Sequence, residues 1–89
     1  MTSRMTKDFR KAFKKLPLSV QRQAKQAFAQ WKDDPYHSSL RFKRVHQRPP
    51  VYSVRINIDY RALAVRDGDK VAWFWIGPHA EYDRIVATL

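Results

Sequence analysis

The hydrophobic period of the chain changes once, at Pro35, from about 3.6 residues to about 2, so helices must come first and sheet second. Before that switch, Phe9, Ala12, Phe13 and Leu16 recur at i, i+3, i+4 and i+7 among Lys7, Arg10, Lys11, Lys14 and Lys15. This is the apolar stripe of an amphipathic helix with a cationic outer face. Thr6 is placed to cap its start, with Asp8 in the first turn, and Pro17 ends it because proline has no N–H to continue the ladder. Ser19 is placed to cap a second helix, whose stripe is Val20, Ala24, Ala27, Phe28 and Trp31 and whose end is Pro35. So short a gap between the two implies an αα-hairpin.

Beyond Pro35, Leu40 and Phe42 alternate with Arg41 and Lys43, which suggests a short strand. Tyr52, Val54, Ile56 and Ile58 alternate with Ser53, Arg55, Asn57 and Asp59, a half-buried strand with one polar face. Tyr60 to Arg66 and Lys70 to Ile76 flank Asp67-Gly68, a pair that tolerates the positive φ angles of a tight hairpin. The last run is apolar on both sides, with Ala72, Phe74 and Ile76 on one and Val71, Trp73 and Trp75 on the other, so it belongs inside the sheet. Ala80 to Leu89 closes with a short helix. The fold expected is α+β, a helical hairpin packed on a mainly antiparallel four-stranded sheet, in one domain over residues 1–89.

Charge narrows the function. The 89 residues carry 18 Lys and Arg against 8 Asp and Glu, a formal charge of +10, which draws polyanions: nucleic acid or an acidic protein partner. The chain has no cysteine, so disulfide scaffolds, thiolate zinc sites and cysteine nucleophiles are excluded. His37, His46 and His79 lack the close spacing of metal ligands, and neither metal nor cofactor is expected. The longest apolar run, Val71 to Ile76, has strand length only, and the N-terminus lacks the apolar core of a signal peptide. No membrane partner is expected, and a cytoplasmic location is.

Two constellations carry chemistry. Between Asp34 and Asp59 there is no acidic residue, while Arg41, Lys43, Arg44, His46, Arg48 and Arg55 all fall in that interval. As a phosphate-gripping surface these cations would release condensed counterions; as an edge strand they would simply oppose aggregation. The second constellation is His79 with Tyr82, just after the last strand, with Glu81 and Asp83 beside them. Histidine both takes and gives protons near neutrality, and a strand end is a rigid place from which to offer it.

Tyr52-Ser53-Val54-Arg55-Ile56, Tyr60-Arg61-Ala62-Leu63 and the run from Trp73 through Ile76-Gly77-Pro78-His79-Ala80-Glu81-Tyr82-Asp83 resemble the sheet and C-terminal signature of the RelE/ParE superfamily of bacterial type II toxins. The family's opening strand is the departure, since Met1 to Met5 is short and polar, so that strand is expected to be short or absent. The resemblance implies a toxin neutralised by a cognate antitoxin. One branch of the family cuts mRNA on the ribosome without metal, using the RNA 2′-hydroxyl; the ParE branch inhibits DNA gyrase without catalysis. A basic RNA-binding module without activity is the third reading. By similarity to the ribonuclease branch, Arg61, His79 and Tyr82 match its catalytic positions, and Glu81 is a candidate base or a partner for His79. Arg41, Lys43, Arg48 and Arg55 would hold phosphate. Arg61 could equally be structural, paired with Asp59 or Glu81.

Overall fold

A computed structural model describes residues 1–89. Its elements run β1 (Thr2–Met5), α1 (Lys7–Lys14), α2 (Leu18–Asp33), β2 (Lys43–His46), β3 (Val51–Arg55), β4 (Tyr60–Asp67), β5 (Lys70–Pro78) and α3 (His79–Thr88). The strands form one five-stranded sheet in the order β1-β5-β4-β3-β2. The helices lie on both sides of it, α1 and α2 on one face and α3 on the other.

The hairpin forms largely as its sequence dictates. Thr6 Oγ1 accepts from the Phe9 N–H at 3.1 Å and caps α1. Ser19 does not cap α2; that helix starts at Leu18, after Pro17, with no side-chain cap. The stripes of both helices meet the sheet in a core of edge-to-face aromatics, with Trp31 and Trp73 ring centres 5.4 Å apart and Phe28 and Trp73 4.9 Å apart. Such rings bury roughly 150–250 Å² each, which lets a small chain assemble a sufficient core.

The sheet departs from expectation in four places. It has a fifth strand: β1 is present and pairs in parallel with Lys70–Trp73, making the sheet mixed and covering the outer edge of β5. All of β1 is exposed, so only its backbone ties it to the sheet. Leu40 and Phe42 are buried, yet not in a strand. A single 3-10 turn, Ser38–Leu40, leads to Arg41 at φ 47°, and this left-handed residue turns Phe42 into the core before β2 begins. β3 ends at Arg55, because Ile56–Asp59 form a turn. Finally, a bulge opposite Leu63 and Ala64 inserts Phe74 into β5. Past it the alternation inverts: Val71, Trp73 and Ile76 face the hairpin, while Phe74 and Trp75 both face α3.

The bulge also delivers the start of α3. Gly77 follows on the Trp75 side, and a Cβ there would lie 2.6 Å from the Trp75 ring, so glycine lets the indole fold over the strand end. Gly77 is the register partner of Arg61.

Candidate functional site

The site is organised by the turn between β3 and β4. Asn57 Oδ1 accepts from the N–H groups of Asp59 (2.8 Å) and Tyr60 (2.9 Å), and Asn57 Nδ2 donates to Gln23 Oε1 of α2 at 2.6 Å. An asparagine can close such a turn through its own side chain. The turn presents its carbonyls to Arg61, whose Nη1 donates to Asn57 O (2.6 Å), Tyr60 O (3.0 Å) and, at longer range, Ile58 O (3.4 Å). On the other side, the Asp59 carbonyl accepts the His79 N–H at 2.8 Å. One turn thus positions both Arg61 and the first residue of α3.

Arg61 is opposite Arg55 in the β3–β4 register, and Arg41 adds a third positive charge nearby. Partial burial, and after it the like charges of Arg55 and Arg41, pull the Arg61 guanidinium below the ordinary arginine range, against the opposing influence of Tyr82 and Asp83. No carboxylate pairs with it. Indeed none of the 18 Lys and Arg side chains forms an ion pair, which removes Asp59 and Glu81 as partners of Arg61. Its carbonyl bonds engage one nitrogen and leave Nη2 and Nε as free donors. Arg66, at the far end of the same strand, is the contrast. It donates to Tyr36 Oη at 3.0 Å, and that bond raises its pKa.

His79 Nδ1 is 3.0 Å from Asp83 Oδ2, an i,i+4 pair on α3. A carboxylate can only accept, so Nδ1 carries a proton; the side chain is half-exposed, and in a neutral imidazole Nε2 keeps the lone pair that can take a proton. Tyr82 lies elsewhere. It is buried against Val51 and Leu63, 9% exposed, and its hydroxyl donates to buried Ser53 Oγ at 3.4 Å. Its ring meets that of His79 edge-on at 5.5 Å, so it props the imidazole from below. Glu81 is about 200° around the helix from His79, whereas Asp83 is about 40° away. Glu81 borders a cleft with Lys11, Lys15 and Pro17 on the hairpin side, so adjacency in sequence does not bring it to the imidazole.

Of the remaining cations, Lys43 is the register partner of Ser53, one step along the sheet from Arg55, and is exposed. Arg48 is not part of the cluster. It sits in the turn before Val51, and the strand rise from Val51 to Arg55 alone is about 13 Å. Trp73 is fully buried and cannot stack on a ligand; Trp75 is half-buried. Of the two residues that hold His79 and Arg61, Asp83 is read from the sequence only as a neighbour of His79, and Asn57 is not among the candidates. The i,i+4 spacing signals the first, and nothing in the sequence signals the second. No helix is long and apolar enough to cross a membrane.

The model of the ParE-like toxin domain matches residues 18–84. Among solved structures, the toxin–antitoxin complex RelBE2 of Mycobacterium tuberculosis is similar over 88% of this chain and 96% of that one, with 22% identity and a TM-score of 0.68. The RelB–RelE antitoxin–toxin complex of Methanococcus jannaschii covers 90% of this chain and 95% of its own at 18% identity, with a TM-score of 0.71. YafQ from E. coli covers 90% and 94%, at 11% identity and a TM-score of 0.67. No curated protein matches the chain by sequence. At these identities the structural likeness is one of fold.

Proposed function

Because this chain belongs to the ParE-like toxin family of the RelE/ParE superfamily, we propose that it is the toxin of a toxin–antitoxin pair and that it acts as a metal-independent endoribonuclease on ribosome-bound mRNA. The observation that carries the reading is the cluster of Arg41, Arg55 and Arg61, without a single carboxylate partner, beside an imidazole whose Nδ1 is fixed by Asp83 and whose Nε2 is free. Inhibition by protein docking needs no such pairing of phosphate binders with a proton acceptor.

Cleavage by the RNA's own 2′-hydroxyl needs a base, and it needs cations where charge grows on phosphorus. Arg61 and Arg55 donate to the non-bridging oxygens, and Lys43 and Arg41 steer the flanking phosphates. The 2′-oxygen attacks the adjoining phosphorus while its proton passes to Nε2 of His79, and the bond to the 5′-oxygen breaks. Solvent reaches this exposed cluster and protonates the departing oxygen. The products are a 2′,3′-cyclic phosphate and a 5′-hydroxyl. Tyr82, held in the core, supports His79 and takes no proton; Glu81 and Arg48 lie outside the reaction centre.

The partner would be a cognate antitoxin with an acidic segment that competes with RNA for the same cations, in keeping with the antitoxin complexes in which two of the similar folds were solved. Induction without antitoxin should stop incorporation of labelled amino acids before labelled thymidine, and transcripts should acquire 5′-hydroxyl ends. Arrest of DNA synthesis first, with loss of supercoiling and intact transcripts, would refute the ribonuclease reading in favour of gyrase inhibition.

A further inference from the structure

Beside the phosphate cluster, the outer edge of β3 opens into a groove that the cleavage chemistry does not use. β2 begins at Lys43, opposite Ser53, so no strand covers Val54 and Arg55 on that side. Helix α2 and the Ser38–Leu40 turn flank this edge and border an open hollow of about 320 Å³. One wall is a row of amides, Gln23, Gln26 and Gln30, spaced to share a helix face. Ile56 supplies apolar surface above the buried Leu40, and Arg55 stands on the rim.

That combination matches a nucleobase. The volume is at the lower end of ligand pockets, Ile56 offers an apolar contact to a ring, and the amides offer a donor and an acceptor to its edge. The cations of α2, which include Arg22, Lys25 and Lys32, are not on this wall, so apart from Arg55 the groove is lined by neutral residues in a chain of charge +10. Gln23 is already oriented. Its Oε1 accepts from Asn57 Nδ2 at 2.6 Å, which leaves its amino group free. The same Asn57 holds Arg61 through its carbonyl, and Arg55 belongs to both groove and cluster, so a base in the groove and its phosphate on the arginines are adjacent.

We propose that this groove receives the base of a nucleotide adjoining the phosphate held by Arg55 and Arg61, and that Gln26 and Gln30, beside the oriented Gln23, select that base by its hydrogen-bonding edge. The proposal rests on the RNA reading above. A carboxamide matches the adjacent amino donor and N7 acceptor of adenine, so adenine is the base expected.

The test is equilibrium binding of fully 2′-O-methylated single-stranded RNA oligomers, which cannot be cleaved, with each of the four bases at one varied position. The full chain should favour adenine by about tenfold. Gln26→Met with Gln30→Met keeps side-chain length without the amide and should bring the four bases within about twofold, while the dependence of log affinity on log salt stays as it was. Gln26→Glu offers acceptors only and should move the preference toward cytosine. Met variants that retain the preference, or a parent chain that binds all four bases equally with a normal salt slope, would overturn the groove assignment and leave RNA binding standing. Failure of the RNA reading shows differently, as binding whose salt slope is untouched by Arg55→Gln and Arg61→Gln.

Discussion

Arg55→Gln should stabilise the protein and weaken its hold on RNA, because Arg55 faces Arg61 across the β3–β4 pair with no acid between them. Like charges directly opposite in a sheet cost roughly 0.2–1 kcal/mol. Coulomb's law agrees at the weak end: two unit charges about 6 Å apart in a water-like dielectric repel by about 0.7 kcal/mol. Removing one charge therefore gains about 0.5 to 1 kcal/mol, which for a domain of this size raises the melting temperature by about 2 to 8 °C. Thermal unfolding followed by circular dichroism at low ionic strength measures it. In 1 M salt, where the screening length is about 3 Å, most of the gain should vanish. Arg55→Lys keeps the charge and should not share the gain. Arg48→Gln, the same loss of charge at the other end of β3, controls for the general repulsion of a +10 chain and should give much less. RNA affinity should fall in parallel, with the salt slope flattened by about 0.7. An Arg55→Gln variant that melts lower than the parent, or a gain matched by Arg48→Gln, would show that the facing arginines do not strain the fold.

Three further outcomes follow from the same geometry. His79→Gln should slow RNA cleavage by about 10² to 10⁴ with the melting temperature nearly unchanged, and cleavage at the parent rate would remove His79 as the base. Tyr82→Phe deletes a hydroxyl whose partner is buried Ser53, so it should cost about 0.5–1.5 kcal/mol in denaturant titration and leave the cleavage rate near that of the parent; a large rate loss without a stability loss would place the hydroxyl in the chemistry. Gly77→Ala drives a methyl group into the Trp75 ring and should destabilise by about 1–3 kcal/mol, whereas an unchanged melting temperature would show that the indole swings clear at no cost.

What could be read from the sequence was whatever side chains encode locally. The hairpin, the Thr6 cap and the Asp67-Gly68 turn each depend on residues a few positions apart, and each is present. Backbone features were hidden. β1 has no apolar alternation because it is an exposed edge strand joined to β5 by main-chain bonds. The left-handed Arg41 imitates one step of strand alternation, since it too puts Leu40 and Phe42 inside. The bulge at Phe74 moves Trp75 to the opposite face without changing composition. At the site, distance along the chain does not track distance in space. Glu81 is nearer than Asp83 to His79 along the chain but lies around the helix from it, and the acid-free interval that contains both Arg48 and Arg55 spans the two ends of one strand.

Asn57 shows why the remaining part of the site leaves no sequence signature. Its side chain closes a turn and reaches Gln23, while its carbonyl holds Arg61, so its contribution lies in hydrogen bonds that many other sequences could arrange. Those bonds nevertheless decide whether a repelling set of arginines stays together. A guanidinium anchored by one nitrogen cannot swing away from its neighbour, and the imidazole is anchored to the same turn through the His79 N–H on Asp59. Arg61 is thus held before any ligand arrives, and on the ribonuclease reading a donor held in advance needs no reorganisation as charge develops on phosphorus. The electrostatic strain of that arrangement is confined to one rim of the sheet, and the edge-to-face aromatic core behind the opposite face supplies the stability that tolerates it. A chain so short of acids keeps its cluster unneutralised, with Arg61 held by the turn, and that unpaired positive charge is what an arriving phosphate would meet.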